Sequence, residues 1–366
     1  MCKVYALAIT LLLVWSGNAL PFQLSPQGAA IERALANKDQ RLLDKVGQWV
    51  ASSGIEKFGE SVHEEITNRI LDCNGDAKFC SDPDWDPAFA YILAGVRWND
   101  DPPFEFLNNQ GRYPGCKSGN VIRLTTYPEC WARVFSDGKK KAEKNEVINR
   151  TTAPILLRSH FGDLQFFHSM ASADKESAIE TQQKILMWAE LTWNIATKKM
   201  GPGDIIAEAD NPVAKQVFLG HGWSVQDLFA QGNPHIRKPK YLADVAFGSL
   251  LHMVQDSFSR AHVERQAPVS GKVCGGMEEQ VKAPGKIAEF HSYRNQDPEA
   301  HKSDDVREAF ANHLVSTSPS IVDVGRKLAE YYDKQSDWET VRPYMNCVFD
   351  LAITTSPSSP GDRYTK

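Results

Sequence analysis

Residues 242–258, LADVAFGSLLHMVQDSF, set Leu242, Val245, Ala246, Leu250 and Val254 mostly three or four positions apart, the spacing of a helix with one buried face. The same segment carries His252 and Asp256. Residues four apart on a helix project within roughly 40° of each other, so this imidazole and this carboxylate share a face and can meet one ion. An isolated H-x3-D pair is ordinarily a hydrogen-bonded couple in a core. Here a third ligand-type residue, His262, completes H-x3-D-x5-H near the expected helix end, where it can turn toward a second ion while Asp256 bridges.

Helical periodicity also runs through residues 60–71, 87–98, 175–198 and 239–259, and through 305–344 with a break near 317–319. Strand alternation is confined to 120–125, which predicts an all-α, single multi-helical domain over 20–366. Pro- and Gly-rich stretches at 101–115, 201–204, 267–285 and 355–361 separate the helices as loops, and no fixed-period repeat or linker composition divides the chain. The 267–285 loop falls between two groups of ligand-type residues, where a substrate-covering element would sit. The basic run Lys139, Lys140 and Lys141 is expected in a solvated loop, and Phe166, Phe167, Trp188 and Trp193 are expected as packing.

Residues 1–19 have the order of an export signal: one lysine, an apolar run too short for an anchored span, then small residues up to Ala19. A secreted or periplasmic location follows, and with it disulfides, since losing Cys2 leaves an even set of cysteines. Proximity favours Cys73 with Cys80 and Cys116 with Cys130, leaving Cys274 for Cys347. A hydrophobic content of 42% with nine tryptophans supports a substantial core. The net charge of -5 gives no electrostatic footprint for duplex DNA.

The chain resembles the zinc-dependent bacterial phospholipases C and the single-strand-specific zinc nucleases that share their fold. H-x3-D-x5-H carries the resemblance, supported in chain order by His63-Glu64-Glu65-Ile66-Thr67-Asn68-Arg69, by Trp98-Asn99-Asp100 and by Ser159-His160-Phe161. These elements span about 60 to 305, and four in order are harder to obtain by chance than one. The resemblance implies Asp100, His160, His252 and Asp256 around one zinc, His63 with the other oxygen of Asp256 on a second, and His262 on a third. For that third ion the family has H-x3-E or H-x3-D. His301 and Asp305 have the spacing and are preferred, with His291 and Asn295 or Asp297 as the other possibility. The family's amino-terminal tryptophan ligand corresponds at best to Trp49, which would make 20–48 a propeptide; otherwise that segment is an extra helix.

The implied activity is that of a phospholipase C, hydrolysing a phospholipid phosphodiester by a metal-activated hydroxide, with two or three zinc ions as cofactor. Asp100, or Asp101 beside it, would orient the attacking water. A single-strand nuclease or 3'-nucleotidase is the enzyme alternative, and a non-catalytic exported zinc-binding protein is the alternative from another class. The expected partner is a phospholipid or membrane-surface substrate met by a monomer, with single-stranded nucleic acid in the alternative and no duplex DNA. His168, His221, His235 and His313 have no partner at ligand spacing and are expected in the core or on the surface.

Overall fold

The computed structural model describes residues 61–72, 87–106, 113, 116–231, 236–276, 279–297, 300–301 and 303–366. The export segment, Trp49, Cys73, Cys80 and His235 lie outside them. Among the described residues the chain is mostly helical. Eleven α-helices run in the order α1 Val62–Ile70, α2 Pro87–Trp98, α3 Pro128–Glu143, α4 Ile155–Phe161, α5 Ala178–Ala196, α6 Pro212–Val217, α7 Val225–Phe229, α8 Pro239–Asp256, α9 Arg307–Ser316, α10 Ile321–Asp333 and α11 Trp338–Val348. Short 3-10 turns stand at Gln165–His168 and Ile206–Glu208. No helix among them is long and apolar enough to cross a membrane.

The long periodic segments form the helices expected of them, and local signals set their ends. Ser177 accepts from the Glu180 amide at the start of α5, and Ser320 and Asp323 form a reciprocal capping box at α10. Helix α3 corrects the loop expected at Lys139, Lys140 and Lys141: these residues lie in its last turns, where cations suit the negative helix end and Lys141 pairs with Asp137 at 2.9 Å. Four short strands also qualify the all-α expectation. Strands β1 (Phe104–Glu105) and β2 (Val121–Ile122) pair antiparallel, as do β3 (Val263–Arg265) and β4 (Ile287–Phe290). The second pair is too brief to alternate visibly in sequence, and it forms because the chain ends on either side are brought together by the helices.

The centre of the core is the crossing of α2 and α8. A Cβ on Gly95 would stand 2.1 Å from the Val245 carbonyl oxygen, and one on Gly248 would stand 2.1 Å from the Ile92 carbonyl oxygen. Backbone therefore meets backbone, closer than side chains allow in ordinary helix pairs. Around the crossing, Trp98, Trp188, Phe166 and Phe167 are fully buried, and Trp193 packs edge-on to Phe247, which fits their expected role as packing. Helix α1 is joined to α2 by the buried Arg97–Glu64 pair at 2.6 Å. Asn99, following α2, donates to the carbonyls of Phe167 (2.6 Å) and Ser249 (3.2 Å) and accepts from the Ser249 hydroxyl at 2.6 Å.

Two disulfides fasten the periphery. Cys116–Cys130 ties the loop before β2 to the first turn of α3, and Cys274–Cys347 ties the 267–285 loop to the last turn of α11. Cys116–Cys130 is the pairing favoured by sequence proximity and Cys274–Cys347 is the one left over, and both suit a non-reducing compartment. Arg265 in β3 adds a polar clasp, donating to the carbonyls of Ser257, Gly285 and Val348 at 2.7, 2.9 and 2.9 Å.

Two consequences can be measured. Gly248→Ala should lower the unfolding free energy by about 3 kcal/mol, the upper end for overpacking because backbone lines both sides of the contact; unchanged urea denaturation would show that the helices are not locked there. His313 accepts from the Ile321 amide at 3.0 Å, and burial together with the charge of Arg265 lowers its pKa from 6.5 to about 4. The folded protein keeps this ring neutral while the unfolded chain takes up a proton below pH 6.5, so stability is full above that pH and falls as pH drops toward 4. The loss should reach about 3 kcal/mol and be smaller in His313→Gln, as urea titrations at about pH 7 and about pH 4.5 would report.

Candidate metal centre

Helix α8 delivers the first two side chains. Its inner face aims His252 and Asp256 at the carboxyl end of α2, and the close crossing lets the His252 Nδ1 reach the Val96 carbonyl at 2.6 Å. With Nδ1 donating there, the Nε2 of a neutral ring carries its lone pair inward. That nitrogen lies 2.9 Å from Asp256 Oδ2 and 4.0 Å from Asp100 Oδ2.

The same device recurs. His63, on α1, turns its Nδ1 to Gln255 Oε1 at 2.6 Å, and Gln255 is held by donating to Thr67 Oγ1 at 2.8 Å. This aims His63 Nε2 at Asp256 Oδ1, 3.4 Å away. His160 on α4 directs Nδ1 to the Leu156 carbonyl (2.7 Å) and Nε2 toward Asp100 Oδ1 (3.6 Å). His262, just before β3, directs Nδ1 to the His168 carbonyl at 2.7 Å, and its buried Nε2 has no hydrogen-bond partner. His301 directs Nδ1 to Gln296 Oε1 at 2.6 Å and sets Nε2 2.9 Å from Asp305 Oδ2. Five histidines thus have one nitrogen committed to an oxygen acceptor and the other turned to a carboxylate or left bare, the arrangement that prepares imidazole for a metal ion.

Three groups of buried ligand-type atoms result, each with its atoms within 4.8 Å of one another: His63, His252 and Asp256; Asp100, His168 and His252; and His262, His301 and Asp305. Such groups could hold metal ions. All eight residues expected as ligands from the sequence, His63, Asp100, His160, His252, Asp256, His262, His301 and Asp305, come together in this one region. Asp256 stands at the junction, with one oxygen toward His63 and the other 2.8 Å from His168 and 2.9 Å from His252.

His168 is the correction. It was expected in the core or on the surface, yet it enters the central group with Asp100 and His252, while His160 flanks Asp100 from the outer side. No helical partner announces His168, because it sits on the one-turn Gln165–His168 helix and its partners are 84 and 88 residues away. The local cue is a lone histidine inside the apolar run Phe166, Phe167, Met170 and Ala171. Ser169 holds this turn in the left-handed region, at φ 53°, and donates to the Met253 carbonyl at 2.7 Å, so the backbone here is pinned to α8.

The two open alternatives resolve in geometry. Asp101 is turned away, its carboxylate accepting from the Leu124 amide at 3.1 Å with Arg123 3.6 Å distant, so Asp100 is the carboxylate facing the cluster. His291 is also turned away: its Nδ1 meets the Ala261 carbonyl at 3.2 Å and its ring lies against Gly361, where a Cβ would come within 2.6 Å of it. His221 stacks on Trp223 and contacts Arg158 at 3.1 Å, away from the cluster. The 267–285 loop lines a cavity of about 800 Å³ with Arg342, Pro343 and Asn346 of α11, and none of the clustered histidines belongs to that lining.

Burial dominates the electrostatics. It lowers the pKa of His262 and lowers that of His168 much further, which leaves both rings neutral and available as ligands. It raises the Asp305 carboxyl well above its ordinary range. Burial acts in the same direction on Asp256, but the imidazoles of His252 and His262 reverse it and hold that carboxyl well below its ordinary value. His63 shifts upward because Asp256 and Asp100 outweigh its burial. Imidazole and carboxylate ligands bind a cation in their deprotonated forms, so metal uptake should release any protons they carry. His262 Nε2 and His168 Nε2 are buried without a hydrogen-bond partner, a state that is costly for polar atoms unless something else meets them. The residues present therefore fit a divalent cation.

No known protein family, curated protein or solved structure matches the chain.

His168→Asn should reduce tightly bound metal by about one ion per chain or weaken it by an order of magnitude or more. Metal analysis of purified protein against His221→Asn would read this, and equal metal content in the two variants would remove His168 from the centre.

Proposed function

We propose that the chain is an exported zinc-dependent phosphodiester hydrolase of phospholipase C type. One observation carries this: ligand atoms from α1, the end of α2, the Gln165–His168 turn, α8 and the segment before α9 converge on a single buried region in which the two oxygens of Asp256 face different histidines. Adjacent cation positions sharing a carboxylate suit a reaction in which charge develops on several phosphoryl oxygens at once. The donors are His and Asp, whereas purely structural zinc sites are usually closed and cysteine-rich. The cysteines seen here are spent in disulfides, which disfavours a non-catalytic zinc-binding role. The ordered motifs that resemble the zinc phospholipases C and zinc nucleases supply the same residues that converge.

Zinc bound in such a centre acidifies water and neutralises phosphoryl charge. The chain's own groups supply the rest. Gln255, Val96, Leu156 and Gln296 fix which imidazole nitrogen faces inward, so the centre is organised before substrate arrives. Asp256 would join His63 to the central group, and His262, His301 and Asp305 would hold a further ion able to neutralise charge on a leaving alkoxide. Asp100 would accept a proton from, and orient, an attacking water, since Asp101 is committed to the Leu124 amide. An export route agrees with the disulfides and the apolar leader.

Parallel assays decide the substrate. Zinc-loaded mature protein should release phosphorylated head group from phosphatidylcholine vesicles, contain two or three zinc ions, and lose roughly a thousandfold or more in kcat/KM in Asp256→Asn with fewer ions bound. Cleavage of single-stranded DNA with inert vesicles would transfer the chemistry to a nuclease. Full activity after metal removal would end the proposal.

A further inference from the structure

Tyr293 lies three residues past the end of β4, and nothing in its sequence context marks it for chemistry. Its ring stacks on His301 with centroids 5.1 Å apart and planes 21° apart, stands 5.9 Å from His262, and lies 6.5 Å from His160. Since His160 is 4.9 Å from His168, and His168 is 6.3 Å from His262, the tyrosine closes a ring of side chains that spans the Asp100 side and the Asp305 side of the centre. Its hydroxyl is buried and has no hydrogen-bond partner, within electrostatic reach of Asp256, Asp305 and Asp100. The backbone on either side is fixed: the Tyr293 amide donates to Gln165 Oε1 at 2.9 Å, and the Ser292 amide donates to the Ser359 carbonyl at 2.9 Å. A side chain this firmly placed with its polar end left over is poised for a ligand.

We infer that the Tyr293 hydroxyl donates a hydrogen bond to an oxygen of a phosphoryl group seated between these two sides of the centre, an inference that rests on the phosphodiesterase assignment above. A phenol is a hydrogen-bond donor at neutral pH, and the buried carboxylates around it would repel an anion that arrived without cations. On the phosphodiesterase reading that occupant is a phosphoryl anion brought by metal, whether it belongs to a diester substrate or to free phosphate. Tyr293 touches it directly and does not hold the metal itself.

Inorganic phosphate is the probe, titrated calorimetrically into zinc-loaded protein and zinc-loaded Tyr293→Phe, with zinc content and melting temperature measured for both. The expected result is a phosphate Kd weakened about tenfold to a hundredfold in the variant, the loss of a hydrogen bond to a charged group, with zinc content unchanged and melting temperature unchanged or raised. Equal phosphate affinity in the two proteins overturns the inference. Fewer zinc ions in the variant would make the phenol a metal ligand, and a lowered melting temperature with unaltered affinity would make it structural; either also overturns it. Absence of phosphate binding in the zinc-loaded wild type would instead sink the phosphodiesterase assignment. Hydrolysis by the variant adds an independent reading: kcat should fall more than KM rises.

Discussion

Helices α2 and α8 touch through their backbones at Gly95 and Gly248, and the chemistry of the molecule is built outward from that contact. Without a Cβ on either side, the helices approach closely enough for His252 to bond to the Val96 carbonyl, and for the end of α2 to present Asn99 and Asp100 to α8. Asn99 then gathers the Phe167 carbonyl, which places the His168 turn, and the His168 carbonyl in turn receives His262. One close crossing thereby sets the position of four side chains from three distant parts of the chain. Bulk anywhere along this line would separate them, since a packed interior transmits a displacement and does not absorb it.

Stability and function pull against each other in such a place. Three aspartates and six imidazoles occupy a fully buried region, and each uncompensated charge there costs several kcal/mol. Part of that cost is offset by the mutual attraction of Asp256 and its imidazoles, which holds that carboxyl well below its ordinary range despite burial. Divalent cations answer the same demand more completely because they meet several lone pairs at once. The surrounding hydrogen bonds from Gln255, Gln296 and main-chain carbonyls do not neutralise charge. They decide orientation, so the centre is rigid before anything binds. Outside it, Arg265 and the two disulfides hold the loops and α11 to the core without entering the cluster.

Local sequence was a good guide wherever one helix or one short loop contained the whole signal. The α2 boundaries, the long periodic run of α8, the inward pair His252 and Asp256, and the pairing of Cys116 with Cys130 all depend on neighbours a few residues apart. The preference for His301 with Asp305 came from the same i,i+4 spacing, and the structure sets those atoms 2.9 Å apart. Lys139 to Lys141 carry a weaker signal, because three lysines in a row obscure the amphipathic face of α3.

What the amino-acid sequence determined by itself was which segments are helices, which faces they bury, and the donors that those faces carry, because periodicity and residue chemistry are local properties. Only the tertiary structure decided that His168 enters the centre, that Asp100 and not Asp101 faces it, that His291 turns to the Ala261 carbonyl, and that Tyr293 closes the ring. Each of those outcomes is a through-space distance between segments far apart along the chain, set by how closely two helices can approach, and no spacing within a single segment records it.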